Sequence, residues 1–199
     1  MKKDIRNLKK GDIVTFKDGE TIADVLAETG KAVLGQDLRV ENVLTINQSH
    51  GLVRWTRVHF TKSEKTLIIK EVEDLCDVRI CSAPESFECG DRQDLDDSGW
   101  LEYLFDFEEE QTLTERDFLR LLSMDYDNEE AVEFKIKGGV LYGEDKKGRF
   151  CGVAEWSALS DTDYPEVMAI EIGGEDSESG GYIELYQGIN MFEEEYEVL

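Results

Sequence analysis

No apolar run in this sequence approaches the roughly 20 residues that a membrane-spanning helix needs. The opening Met1-Lys2-Lys3-Asp4-Ile5 is basic but lacks the apolar core of a secretory signal. The expected compartment is the cytoplasm. The cysteines Cys76, Cys81, Cys89 and Cys151 form no C-x-x-C pair, so reduced thiols are expected rather than a disulfide framework. Cys76, Cys81 and Cys89 cluster, but their spacings are irregular. The two histidines, His50 and His59, lie elsewhere, so no zinc site is expected. No Gly-rich phosphate loop is present: Gly138-Gly139 and Gly173-Gly174 lack the strand-to-helix setting that such a loop requires. Aromatics are not interleaved with Lys and Arg in the manner of a nucleic-acid stacking surface. No cofactor is implied.

Positive charge is scarce in one part of the chain only. Residues 1–70 hold 13 Lys+Arg and 9 Asp+Glu, a net of +4, whereas residues 71–199 hold 9 and 37, a net of -28. A surface of that sign repels nucleic-acid phosphates and anionic lipids, and attracts cations, polyamines and basic proteins. The acids gather at 91–97, 108–110, 125–130, 175–178 and 193–195.

What fills the chain is strand texture. With 199 residues it is long enough for one or two domains with a core of their own. Gly11-Asp12 reads as a turn feeding a short strand, Ile13-Val14-Thr15-Phe16. Residues 37–80 alternate with period two, through Leu38, Val40, Val43, Leu44 and Ile46, then 52–60, then 66–72, with polar turns about every 10 residues. Cys76–Cys81 reads as a further strand. The C-terminal part repeats the texture at 132–137, 140–142, 149–156, 167–172, 182–186 and 196–199, with Gly138-Gly139 as a hairpin turn. A strand is expected at 99–107. Two short helices are expected, at 21–29 behind Thr21 and at 115–123 behind Thr114. The fold class is mainly β (α+β), with antiparallel meanders forming one or two small curled-sheet or barrel-like modules. The expected division is an N-terminal β module (1–82), an acidic linker region (83–131) and a C-terminal β module (132–199).

Two constellations stand out. Asp94-Leu95-Asp96-Asp97-Ser98-Gly99 begins like a calcium loop, with Asp94, Asp96 and Ser98 at the first, third and fifth positions and Gly99 at the sixth. The twelfth position, which carries the bidentate acid in such loops, is Phe105. The pattern therefore names a weak cation candidate. On the strand around Trp55, alternation puts Arg54, Thr56 and Val58 on one face and Trp55, Arg57 and His59 on the other, a small candidate binding face.

Leu8-Lys9-Lys10-Gly11-Asp12-Ile13-Val14 resembles the barrel-opening phrase of bacterial SH3-like and related small β modules. Val53–Val58 followed by Leu67–Asp74 resembles a β-rich bacterial family of unknown function associated with polyamine-synthesis and phage-shock-like operons. The acidic insert and the helix at 115–123 depart from that family's pattern. The resemblance implies a bacterial cytosolic β module and carries over no catalytic residue.

The expected function is that of a non-enzymatic binding or adaptor protein whose acidic surface meets a basic partner. Asp91, Asp94, Asp96, Asp97, Glu108, Glu109 and Glu110 are the expected contact acids, joined by Trp55 and Arg57. The alternatives are a small-cation or polyamine binder, and an immunity or nucleic-acid-mimic inhibitor of a basic toxin or nuclease.

Overall fold

The structure, a computed structural model, describes residues 3–17, 37–48, 51–81, 84–88, 112–114, 133–136, 141–158, 166–173 and 181–199. These residues form antiparallel sheet. In chain order the strands are β1 (Ile13–Phe16), β2 (Asp37–Gln48), β3 (Val53–Phe60), β4 (Thr66–Val72), β5 (Leu75–Cys81), β6 (Glu85–Glu88) and β7 (Thr112–Thr114). They continue with β8 (Glu133–Ile136), β9 (Leu141–Asp145), β10 (Phe150–Ala158), β11 (Glu166–Ile172), β12 (Tyr182–Met191) and β13 (Tyr196–Val198). The helices expected at 21–29 and 115–123 and the strand expected at 99–107 lie outside the described residues. Among the described residues the helical elements are two three-residue 3-10 turns, Ile5–Asn7 and Glu193–Glu195.

The chain divides into two compact units. The first takes Met1–Pro84, Gly143–Gly148 and Tyr186–Leu199, and the second takes Glu85–Tyr142 and Arg149–Leu185. These bounds do not follow the division expected at 82 and 131. The reason is long-range pairing: the end of β12 joins β5, and β13 joins β1.

In the first unit the ladder runs β13-β1-β2-β3-β4-β5-β12, an open path that does not close into a barrel. The turn before β1 is built locally. Asp12 accepts from the Lys9 N–H at 2.6 Å, Gly11 adopts φ 97°, and the Gly11 N–H donates to the Val40 carbonyl at 2.8 Å.

One residue in β2 decides which side chains meet. Val40 faces Phe60 and Asn42 faces His59, so Glu41 is an extra residue, a β-bulge. Side chains alternate faces along a strand, so the bulge reverses the parity. Leu38 and Val40 before it and Val43 after it therefore share a face, and Leu44 and Ile46 take the opposite one. The shared face is the core of the unit: Val14, Phe16, Leu38, Val40, Val58, Phe60, Leu67, Ile69, Val78, Ile80, Met191, Tyr196 and Val198. Ile5, the first residue of the 3-10 turn at 5–7, and Leu8, just after it, join the core. Phe16 and Phe60 meet edge to face with centroids 6.1 Å apart.

In the second unit β10 is central. It pairs with β11 from Cys151↔Ile172 to Trp156↔Val167, and with β8 at Trp156↔Ile136. Its residues Cys151–Glu155 are all buried, on both faces of the strand. Cys151, read from the sequence as lying within a strand, is fully buried there. β8 pairs with β10 and with β7; the turn expected at Gly138-Gly139 lies outside the described residues. The first residues of β12 pair with β6, from Tyr182↔Glu88 to Leu185↔Glu85.

Candidate functional site

The alternation expected for β3 holds. Thr56 and Val58 lie on the core side, and Trp55, Arg57 and His59 lie on the opposite face. That opposite face of the first unit carries a cross-strand row, Leu44–Arg57–Ile68–Arg79–Asn190. A second row beside it runs Asn42–His59–Thr66–Cys81–Gly188. Two arginines alternate with aliphatic residues in the first row. The Arg79 Nε donates to the Asn190 Oδ1 at 3.1 Å, and the His59 Nε2 lies 3.5 Å from the Tyr186 hydroxyl.

Trp55 and Arg57 are only 1% and 7% exposed. A docking surface needs side chains that water reaches before the partner arrives, and these two are interior. Trp55 instead packs in register between Ile46 and Lys70, and its buried indole Nε1 has no hydrogen-bond partner among the described residues.

A second arrangement in the same unit is open to solvent. Lys3–Arg6, Asp74, Cys76, Glu193, Tyr196 and Val198 line a cavity of about 440 Å³. Its charges are largely paired or defined. Arg6 binds Asp4 through several hydrogen bonds, and this holds the Asp4 carboxyl below its usual range. Lys3 pairs with Asp12; desolvation raises the Asp12 pKa, but Lys3 and the Lys9 N–H outweigh it and hold the carboxyl low. Burial, then Glu71, pushes the Cys76 thiol up, so at neutral pH it is a protonated thiol and a weak nucleophile. Burial, then the neighbouring Cys76, Glu193 and Asp4, pushes the Tyr196 phenol up to about 12. Beside the cavity, Arg54 clamps Glu71 across β3 and β4 with bonds of 2.7 and 2.5 Å.

Sequence reasoning did not find this cavity as a unit. Its lining comes from three segments about 70 and 120 residues apart. The only signal on the chain is the acidic run at 193–195. The expected contact acids Asp91, Asp94, Asp96, Asp97, Glu108, Glu109 and Glu110 lie outside the described residues, as does Ser98 of the calcium-loop pattern. Among the described residues, no group of three or more His, Cys, Asp or Glu comes together to hold a metal ion. Nor is any helix among them long and apolar enough to cross a membrane. Compared with protein-family models, curated proteins and solved structures, the chain gives no match.

Proposed function

We propose that this chain is a non-enzymatic binding protein that engages a basic protein partner through its second compact unit. The observation that carries the reading is how charge divides between the units. The ranges of the first hold 16 Lys+Arg and 19 Asp+Glu, a net of -3. Those of the second hold 6 and 27, a net of -21. Nearly all of the chain's net charge of -24 therefore belongs to one unit. In the first unit, opposite charges are matched locally, as in the Lys3–Asp12, Arg6–Asp4 and Arg54–Glu71 pairs. A one-sided field of this kind steers a basic partner and selects against acidic ones.

The test uses the full chain immobilised and a small basic protein as the probe, with its lysine-acetylated form as control. Binding is expected to the basic form only, weakening at least tenfold between about 0.05 and 0.5 M salt as screening shortens the Debye length. Neutralising Asp91, Asp94, Asp96, Asp97, Glu108, Glu109 and Glu110 to amides is compared with neutralising seven acids of the first unit: Asp37, Glu41, Glu64, Glu73, Glu144, Glu194 and Glu197. The first set is expected to weaken binding far more. Equal losses would remove the second unit's special role, and salt-indifferent binding would remove the electrostatic reading.

A further inference from the structure

The open sheet of the first unit leaves two strand edges facing one cavity. Glu73 and Asp74 make a two-residue turn between Val72 and Leu75. The main chain of Leu75, Asp77 and Arg79 therefore bonds β4, and that of Cys76, Val78 and Ile80 points the other way, toward β12. β12 meets β5 from Gly188↔Cys81 to Met191↔Val78, and the chain then turns off through Glu193–Glu195. Beyond that point β5 is itself an edge. The Cys76 N–H and carbonyl face the side that β12 has left, and no main-chain group among the described residues bonds them there.

β13 offers the second edge. Leu199 exchanges both hydrogen bonds with Ile13, and the Glu195 carbonyl accepts from the Lys17 N–H. The odd residues thus serve β1, and the Tyr196 carbonyl and the Val198 N–H and carbonyl point away from it. Among these outward groups the Val198 carbonyl is reached by the Lys3 N–H, at 3.5 Å. The cavity of about 440 Å³ is lined by Asp74 and Cys76 from one edge and by Tyr196 and Val198 from the other, so it lies between the two.

We infer that this gap takes an extended peptide segment of alternating apolar and basic sequence, whose main chain pairs with the β5 and β13 edges. The unpaired N–H and C=O groups of a strand edge are a template for another strand, which brings donors and acceptors at the same spacing. The side chains bordering the gap set the guest's sequence. Cys76, Tyr196 and Val198 lie on the core side, and Asp77 and Glu197 alternate to the outer side. A guest strand alternates between the same two faces. It sets apolar side chains against the core and basic ones beside Asp77 and Glu197, where opposite charges across strands stabilise the pairing. The ladder is short, since β13 has three residues. A second copy of this chain is the poorer guest, because its own edges carry the same acids.

The test is calorimetric titration of the full chain with the synthetic peptide acetyl-Lys-Val-Lys-Val-Lys-Val-Lys-amide, and with the same peptide N-methylated at its valines. One-to-one binding is expected, about tenfold weaker for the methylated peptide, which keeps every charge and side chain but loses the donors of one edge. Hydrogen exchange followed by NMR is expected to slow at the Cys76 and Val198 amides on saturation, a readout that needs no variant. Asp77→Lys combined with Glu197→Lys is expected to shift the preference to the peptide with glutamate in place of lysine. Equal affinity for the methylated peptide would overturn the inference, as would slowed exchange confined to other residues. Protection of Cys76 in the free chain, appearing together with a dimer in sedimentation, would overturn it in favour of a second copy. The site stands apart from the charge reading above. Binding to the second unit's charge is indifferent to N-methylation and weakens with amides at Asp91–Glu110, whereas the gap is expected to keep its peptide in that variant, so the two proposals fail separately.

Discussion

Gly188 is the most direct place to test the pairing of β12 with β5. It lies opposite Cys81, with Ile189 opposite Ile80. A Cβ placed on Gly188 meets the Cys81 Sγ well inside contact distance and the Ile80 carbonyl oxygen at 2.7 Å. Cys81 is 2% exposed, so its sulfur has no solvent to swing into. The Ile80 oxygen is main chain, fixed by the ladder. Restoring an ordinary 3.4 Å contact there moves one strand by about 0.7 Å. Overpacking of this kind costs about 1–3 kcal/mol. At about 2–4 °C per kcal/mol for a chain of this size, Gly188→Ala is expected to lower Tm by about 2–12 °C. The assay is thermal unfolding followed by circular dichroism. Cys81→Ala in the same chain removes the sulfur but not the carbonyl, so the double variant should recover part of the loss and not all of it. An unchanged Tm for Gly188→Ala would refute the register. Full recovery in the double variant would refute the close approach of the Ile80 carbonyl.

Four further outcomes follow from the described residues. Deleting Glu41 removes the bulge and forces either Leu38 and Val40 or Leu44 and Ile46 off their buried faces; at about 1.5–3 kcal/mol per displaced side chain it is expected to destabilise strongly, read as a lost or much-lowered urea midpoint. Glu73 holds φ 54° in the β4–β5 turn, so Glu73→Gly is expected to gain up to about 1 kcal/mol, and a fall in Tm would contradict the strained turn. Lys65 is buried and its pKa lies below 10.5, chiefly through desolvation; folded chain then binds fewer protons than unfolded chain between the two values, so stability rises with pH across that window, and Lys65→Met should raise stability at pH 7 and flatten the alkaline rise. The Asp12 carboxyl is held below 3.8, so its contribution is complete above 3.8 and fades as pH falls through the lower folded value; Asp12→Asn should flatten the acid limb of a stability–pH profile.

The first meander was legible because its information is local. β3, β4 and β5 are apolar and period two, and the turns between them are polar and short. The bulge was visible only as a break in spacing, three from Val40 to Val43 where two was the rule, and such a break looks the same whether a strand ends or an extra residue is inserted. The division into units was not legible. It depends on β1 with β13 and β5 with β12, pairs more than 100 residues apart, and no local pattern records a partner at that distance. The same holds for the cavity: Asp74 and Tyr196 carry no local signal until long-range pairing brings their strands beside the acidic run at Glu193. Trp55 and Arg57 show the opposite error of local reading. Alternation correctly put them on one face, but face is not exposure.

The strand β12 begins in one unit and ends in the other, and this sets an order of events during synthesis. Residues 85–142 and 149–185 leave the ribosome before 186–199. The first unit therefore has β1 to β5 in hand, but not Met191, Tyr196 or Val198, while the whole of the second unit is being made. Its core stays open along the β5 and β1 edges throughout that interval. Contacts of such sequence separation form slowly. The near-neutral unit is thus the last to be completed, after every residue of the strongly acidic one has been made.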